Sequence, residues 1–149
     1  MLRVRTLAAV TAAAASGVLL LPSQAQAAGS VHLYKIYYDS PGTDRGGNTS
    51  INAEYVQIRN TTGAAVNLRG WTVTDAANHK YTFGNFVLGK GKIVTLRTGR
   101  GTNTSANVYQ NRGWYVWNND KDTATLRKSN GTRADVCSYN STRYDYVWC

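Results

Sequence analysis

Acid is scarce in this chain. Eight Asp and Glu residues face 17 Lys and Arg, and only one of the eight, Glu54, is a glutamate. A glycosidase needs two carboxyl groups facing each other across a cleft. Glu54 with one of the seven aspartates is the pair considered, and no spacing in the sequence singles out a partner. Histidine is as rare. His32 and His79 are the whole supply, and neither lies near a serine in a nucleophile-elbow context. Two cysteines and two distant histidines do not make a zinc spacing, and no C-x-x-C redox motif is present. No catalytic residue, metal ligand or cofactor is therefore assigned. Long apolar runs are missing too. The mostly apolar, uncharged stretch from Leu7 to Leu21 is 15 residues and rich in Ala, short of the ~20 that cross a bilayer as a helix.

That stretch has a different use. Arg3 and Arg5 precede it, Pro22 breaks it, and Ala25-Gln26-Ala27 supplies the small-x-small site of a signal peptidase. Residues 1–27 read as an export signal cut before Ala28 or Gly29, and residues 28–149 as one secreted domain, free in the medium or held on the cell wall. A domain of this size buries about two-thirds of its unfolded surface and is expected to be a monomer. Loss of Arg3 and Arg5 lowers the formal charge from +9 to +7. Such a charge suits nucleic acid or anionic wall polymers as partners. The basic residues are scattered from Lys35 to Arg143 in runs no longer than two, which favours mere solubility over a dedicated partner. Cys137 and Cys149 form an even pair in an oxidising compartment and are expected to bond to each other.

The pattern beyond residue 28 is that of short strands. Val31–Tyr38 is β-branched and aromatic, although Val31 and Leu33 fall on one face and Ile36 on the other. Val56 and Ile58 alternate with Tyr55, Gln57 and Arg59; Val94 and Leu96 alternate with Ile93, Thr95 and Arg97. Apolar pairs at Val66/Leu68, Trp71/Val73 and Tyr81/Phe83 mark further strands, and Gly89-Lys90-Gly91-Lys92 is a turn. Asn130-Gly131 predicts a hairpin with a type I′ turn. Residues 39–53 and 99–107 are polar loops, and no helical period is evident. Many short strands between regular turns predict an all-β, two-sheet sandwich.

The order of residues within that frame is similar to a known family. Glu54-Tyr55-Val56-Gln57-Ile58, Asn60-Thr61, Val66-x-Leu68-x-Gly70-Trp71, Asp75 and Tyr81-x-Phe83 are followed by Leu88-x-x-Gly91, Val116-Trp117-Asn118-Asn119, Asp122-Thr123-Ala124-x-Leu126, Asn130-Gly131 and Asp135. This sequence resembles the lamin tail domain from about Val31 to Tyr139. The resemblance implies an immunoglobulin-like β-sandwich. In nuclear lamins this domain contacts proteins and DNA, and bacterial members are typically exported as adhesion or targeting modules. The family has no catalytic residues to carry over, and this chain shows neither a coiled-coil rod nor an appended enzyme domain.

A non-catalytic module that binds a polymer or a surface protein is the expected function. The alternatives are a small secreted hydrolase or nuclease, and a structural extracellular scaffold. Loops of a sandwich gather at its two ends. Arg97, Arg100 and Arg112 flank the Gly-rich loop that leads to Trp114 and Trp117, and these five residues are the candidate ligand-binding set, with a polyanion as the candidate ligand. Trp114 either packs over a sandwich edge or offers its ring to a ligand. Asp39, Asp44, Asp120 and Asp122 sit in oxygen-rich loops that suit calcium, but the full D-x-[DN]-x-[DN]-G spacing is absent and ordinary turn chemistry accounts for them.

Overall fold

A computed structural model describes residues 28–149. The expected export signal, residues 1–27, lies outside the described residues. Eleven strands are present among them: β1 (Val31–Tyr37), β2 (Tyr55–Asn60), β3 (Val66–Asn67), β4 (Thr72–Thr74), β5 (Lys80–Thr82), β6 (Val87–Leu88), β7 (Ile93–Arg97), β8 (Asn107–Tyr109), β9 (Lys121–Arg127), β10 (Arg133–Asn140) and β11 (Tyr146–Trp148). One short helix, α1 (Asn48–Ile51), interrupts the first polar loop. Its four residues carry no periodicity that a sequence pattern could register, and Ile51 alone ties it to the interior. No helix among the described residues is long and apolar enough to cross a membrane.

The strands form a five-stranded sheet in the order β11-β1-β2-β7-β8, a four-stranded sheet in the order β10-β9-β4-β5, and a small β3-β6 pair. The two larger sheets pack as a sandwich. Alternation puts Val56, Ile58, Val94 and Leu96 inside from one sheet, and Val73, Ala124 and Leu126 inside from the other. Trp71, Phe83 and Trp117 fill the remaining core. Tyr38 and Tyr139 stack across it with ring centroids 3.8 Å apart.

The unclear phase of the first strand has a structural cause. The register of β1 against β2 shifts between Leu33 and Lys35. This bulge adds one residue and turns the strand over. Val31 and Leu33 before it, and Ile36 and Tyr38 after it, all point inward. A second shift, between Arg133 and Asp135 against β9, does the same for β10, so that Cys137 and Tyr139 face the core. The two irregular places meet: Asp135 Oδ2 accepts the Leu33 N–H at 2.9 Å.

Asn130-Gly131 does make the β9–β10 hairpin, but not through the expected type I′ turn. Gly131 N donates to Lys128 O at 2.9 Å and Gly131 takes φ +84°, while Asn130 keeps a negative φ. The hairpin is a type I turn closed by a left-handed glycine, the three-residue alternative to the two-residue loop. Cys137 and Cys149 are bonded. The bridge joins β10, at the edge of one sheet, to the end of β11, at the edge of the other. At the opposite edge the loop before β8 covers that strand's free side. Thr104 N–H donates to Asn107 O, Asn107 N–H to Thr104 Oγ1 and Tyr109 N–H to Asn103 Oδ1, which removes a template for pairing with another chain.

Candidate ligand-binding surface

The second polar loop is built against α1 by amide side chains. Asn48 Nδ2 and Asn52 Nδ2 both donate to Arg100 O, at 3.1 and 2.9 Å, and Arg100 N–H returns a bond of 2.8 Å to Asn48 Oδ1. Arg97, at the end of β7, donates from Nε to Asn107 Oδ1 and from Nη1 to Asn52 O, both at 2.8 Å. These contacts hold Arg97 and Arg100 against the same short helix. Arg100 and Arg112 then line one small cleft of about 80 Å³ with Gly46 and Gly113. Arg112 is steadied by its Nη2 bond to Lys80 O at 3.1 Å. Trp114 lies over Gly46, where a Cβ would come within 2.3 Å of the indole and where φ is +74°. Only glycine fits there.

Four of the five expected residues therefore share one end of the sandwich. Trp114 covers Gly46 with one part of its indole and is 59 % exposed. Trp117 is a correction. It is 2 % exposed, inside the core, and cannot stack on a ligand. The segment 114–117 is not a regular strand, so no alternation rule separates one tryptophan from the other. Lys90 and Lys92 do not join this group, because they occupy the turn at the other end of β7.

Glu54 explains why the Trp114 loop is held where it is. Its side chain is fully buried. Oε1 accepts the Thr98 hydroxyl at 2.7 Å and the Val116 N–H at 2.8 Å, which pins the end of β7 and the aromatic loop to the start of β2. Oε2 has no partner among the described residues. Burial pushes the carboxyl up to about 7; the Thr98 hydroxyl and the backbone N–H groups of Val116 and Trp117 pull it down, and the nearby Asp44 charge pushes it up. Tyr115 adds a second tether, its hydroxyl donating to Ser50 Oγ at 2.7 Å. The Tyr139 hydroxyl, which donates to Asn118 O at 2.6 Å, is raised by burial and by the charges of Asp122 and Glu54.

The acidic loop residues serve turns. Asp122 accepts from the backbone of Ala76, Asn118 and Thr123, and Asp44 accepts from Asn119 Nδ2. Asp75 holds His79 at 2.6 Å. Among the described residues no group of three or more His, Cys, Asp or Glu is placed to hold a metal ion.

Sequence reasoning missed the outer face of the five-stranded sheet. Tyr34, Lys35, Tyr37, Tyr55, Arg59, Tyr146 and Trp148 emerge there from β1, β2 and β11. Lys35 Nζ lies 4.0 Å from the ring centre of Tyr146 and 4.7 Å from that of Trp148. Arg59 lies over Tyr34 at 5.3 Å and Arg97 over Tyr55 at 5.6 Å. One signal was available: the polar partners of Val56 and Ile58 are Tyr55, Gln57 and Arg59, an outward row with an aromatic ring and a cation but no acid. Arg97 belongs both to this face and to the loop cluster.

No curated protein matches the chain. The family model described as Lamin Tail Domain matches residues 24–141, most of its length and nearly the whole of the sandwich. The chain belongs to the lamin tail domain family, and its two packed sheets are that family's immunoglobulin-like β-sandwich.

Proposed function

We propose that this lamin tail domain is a non-catalytic binding module that works outside the cell, at or near its surface, and takes a polyanionic polymer as ligand. The observation that carries the reading is the convergence of Arg100 and Arg112 on one cleft beside the exposed Trp114. Cations from separate loops that meet at one rim concentrate positive potential, which attracts polyanions from a distance. Support for a non-catalytic role comes from Glu54. The one glutamate is enclosed in the core and occupied in holding two loops, so it faces no substrate. The export signal read from residues 1–27 supports the extracellular setting.

Binding to heparin and to random DNA, measured at low and moderate salt, tests the proposal. Affinity is expected to be modest and to fall steeply with salt, because released counterions supply much of the driving force. Reversal of Arg100 and Arg112 together should weaken binding far more than reversal of Arg69 and Arg133, which are exposed on other loops and strands. Equal losses would mean that net charge alone matters. Absence of binding to either polymer at low ionic strength would reject the polyanion.

A further inference from the structure

Register gives the outer face of the five-stranded sheet an order that no single strand displays. Tyr146, Tyr37, Tyr55, Arg97 and Tyr109 are successive cross-strand partners, one from each strand. Beside them runs a second row, Trp148, Lys35, Gln57, Thr95 and Asn107. Each row crosses four strand spacings, about 19 Å in all. None of the five strands contains an Asp or Glu, while they contribute Lys35, Arg59 and Arg97. The carboxylate in contact with the rows is Asp145, at the β11 margin, which accepts the Tyr37 hydroxyl at 3.5 Å. Beyond Arg97 the face continues into an open groove of about 550 Å³ lined by Asn48, Asn52, Asn107 and Tyr109.

We infer that this face binds an acidic polysaccharide, a carboxylated or sulfated glycan laid across the strands; the inference rests on the polyanion reading above. Charge complementarity selects an anion. The posture of the rings selects its kind. Tyr37 stacks on Tyr55 at 5.4 Å and 23°, and on Tyr146 at 6.0 Å and 20°. Neighbours that cover one another's faces present edges and hydroxyl groups to solvent. Single-stranded nucleic acid needs open ring faces on which its bases stack. A glycan needs hydroxyl and amide partners for its own hydroxyls and fixed cations for its acid groups, and both rows supply them. Lys35, Arg59 and Arg97 already rest against aromatic rings, so little side-chain freedom is lost when a ligand arrives.

The test uses the purified full chain and three probes: heparin, polygalacturonate and a single-stranded oligonucleotide of matched charge, at low ionic strength. Both glycans should bind, and the oligonucleotide should bind at least about tenfold more weakly. The K35E/R59E variant should lose at least about tenfold in glycan affinity, R69E/R133E less than about twofold, and K35R/R59K should restore binding. Thermal melts establish that each variant is folded; if K35E/R59E is not, the neutral K35Q/R59Q replaces it, with a smaller loss in the same direction. An oligonucleotide that binds as tightly as the glycans would overturn the inference in favour of nucleic acid. Binding that is lost in R100E/R112E but unchanged in K35E/R59E would leave the loop-end reading standing and remove the sheet face. No binding of any probe would remove both.

Discussion

Burial of Glu54 should make this domain lose stability as pH rises from acid to neutral, against the usual behaviour of carboxylates. In the unfolded chain the group titrates near its ordinary value of 4.5, and in the folded protein at about 7. Between these values the folded state holds a proton that the unfolded state has released. Its contribution is complete below pH 4.5 and is lost as pH rises through 7. A shift of that size corresponds to about 3 kcal/mol at 1.36 kcal/mol per pH unit. The perturbation is Glu54→Gln, which keeps an oxygen for the Thr98 hydroxyl and the Val116 N–H but cannot ionise. Urea melts of both proteins from pH 4 to pH 8 provide the assay. Other titrating groups act on both proteins and cancel in the difference. The wild type should fall relative to Glu54→Gln by about 3 kcal/mol across the window, with the steepest change between pH 5 and 7. Parallel stability curves would refute the reasoning, because they would mean that the carboxyl titrates alike in the two states.

Reducing the Cys137–Cys149 bridge, or substituting Cys149→Ser, should cost on the order of 3 kcal/mol in the chain-entropy account of a short closed loop; labelling should find no thiol before reduction and two after it. Asn60 is buried, donates through Nδ2 to Ala64 O and Leu88 O, and accepts from Thr62. Asn60→Ala removes the buried bond to Leu88 O and takes the side-chain acceptor from the Thr62 N–H, while Ala64 O keeps the Thr62 hydroxyl; it should lower stability by roughly 2 kcal/mol, read from urea melts. Intact mass of the protein recovered from culture medium should lack the first 27 or 28 residues; a membrane-bound form that retains Met1 would contradict export.

Local patterns carried much of the fold. The alternation around Val56/Ile58 and Val94/Leu96 located β2 and β7, and placed their apolar residues together on one face. Where the chain inserts one residue, as at Leu33–Lys35 and Arg133–Asp135, that rule changes sign, and the change depends on the partner strand. The Asn130-Gly131 signal located a hairpin but not its turn, since Gly131 serves either geometry. The loop-end cluster was legible in outline because Arg97, Arg100, Arg112 and Trp114 lie within one stretch of sequence. The aromatic rows were not. They join Tyr37, Tyr55, Arg97, Tyr109 and Tyr146 through the order β11-β1-β2-β7-β8, and nothing near any one of these residues announces its cross-strand neighbour. Glu54 stood out in the sequence only as the single glutamate. Its partners, Thr98 and Val116, are distant in sequence and became visible only in the folded chain.

On the proposed reading, ligand binding uses one continuous surface, the loop end around Arg100 and Trp114 together with the outer face of the five-stranded sheet. Backbone amide shifts of the isotopically labelled protein, followed during titration with a heparin oligosaccharide, test it directly. Shifts concentrated on β11, β1, β2, β7 and β8 and on residues 97–114, with β4, β5, β9 and β10 unmoved, are the predicted result. Shifts centred on the four-stranded sheet, or spread evenly over both, would contradict it.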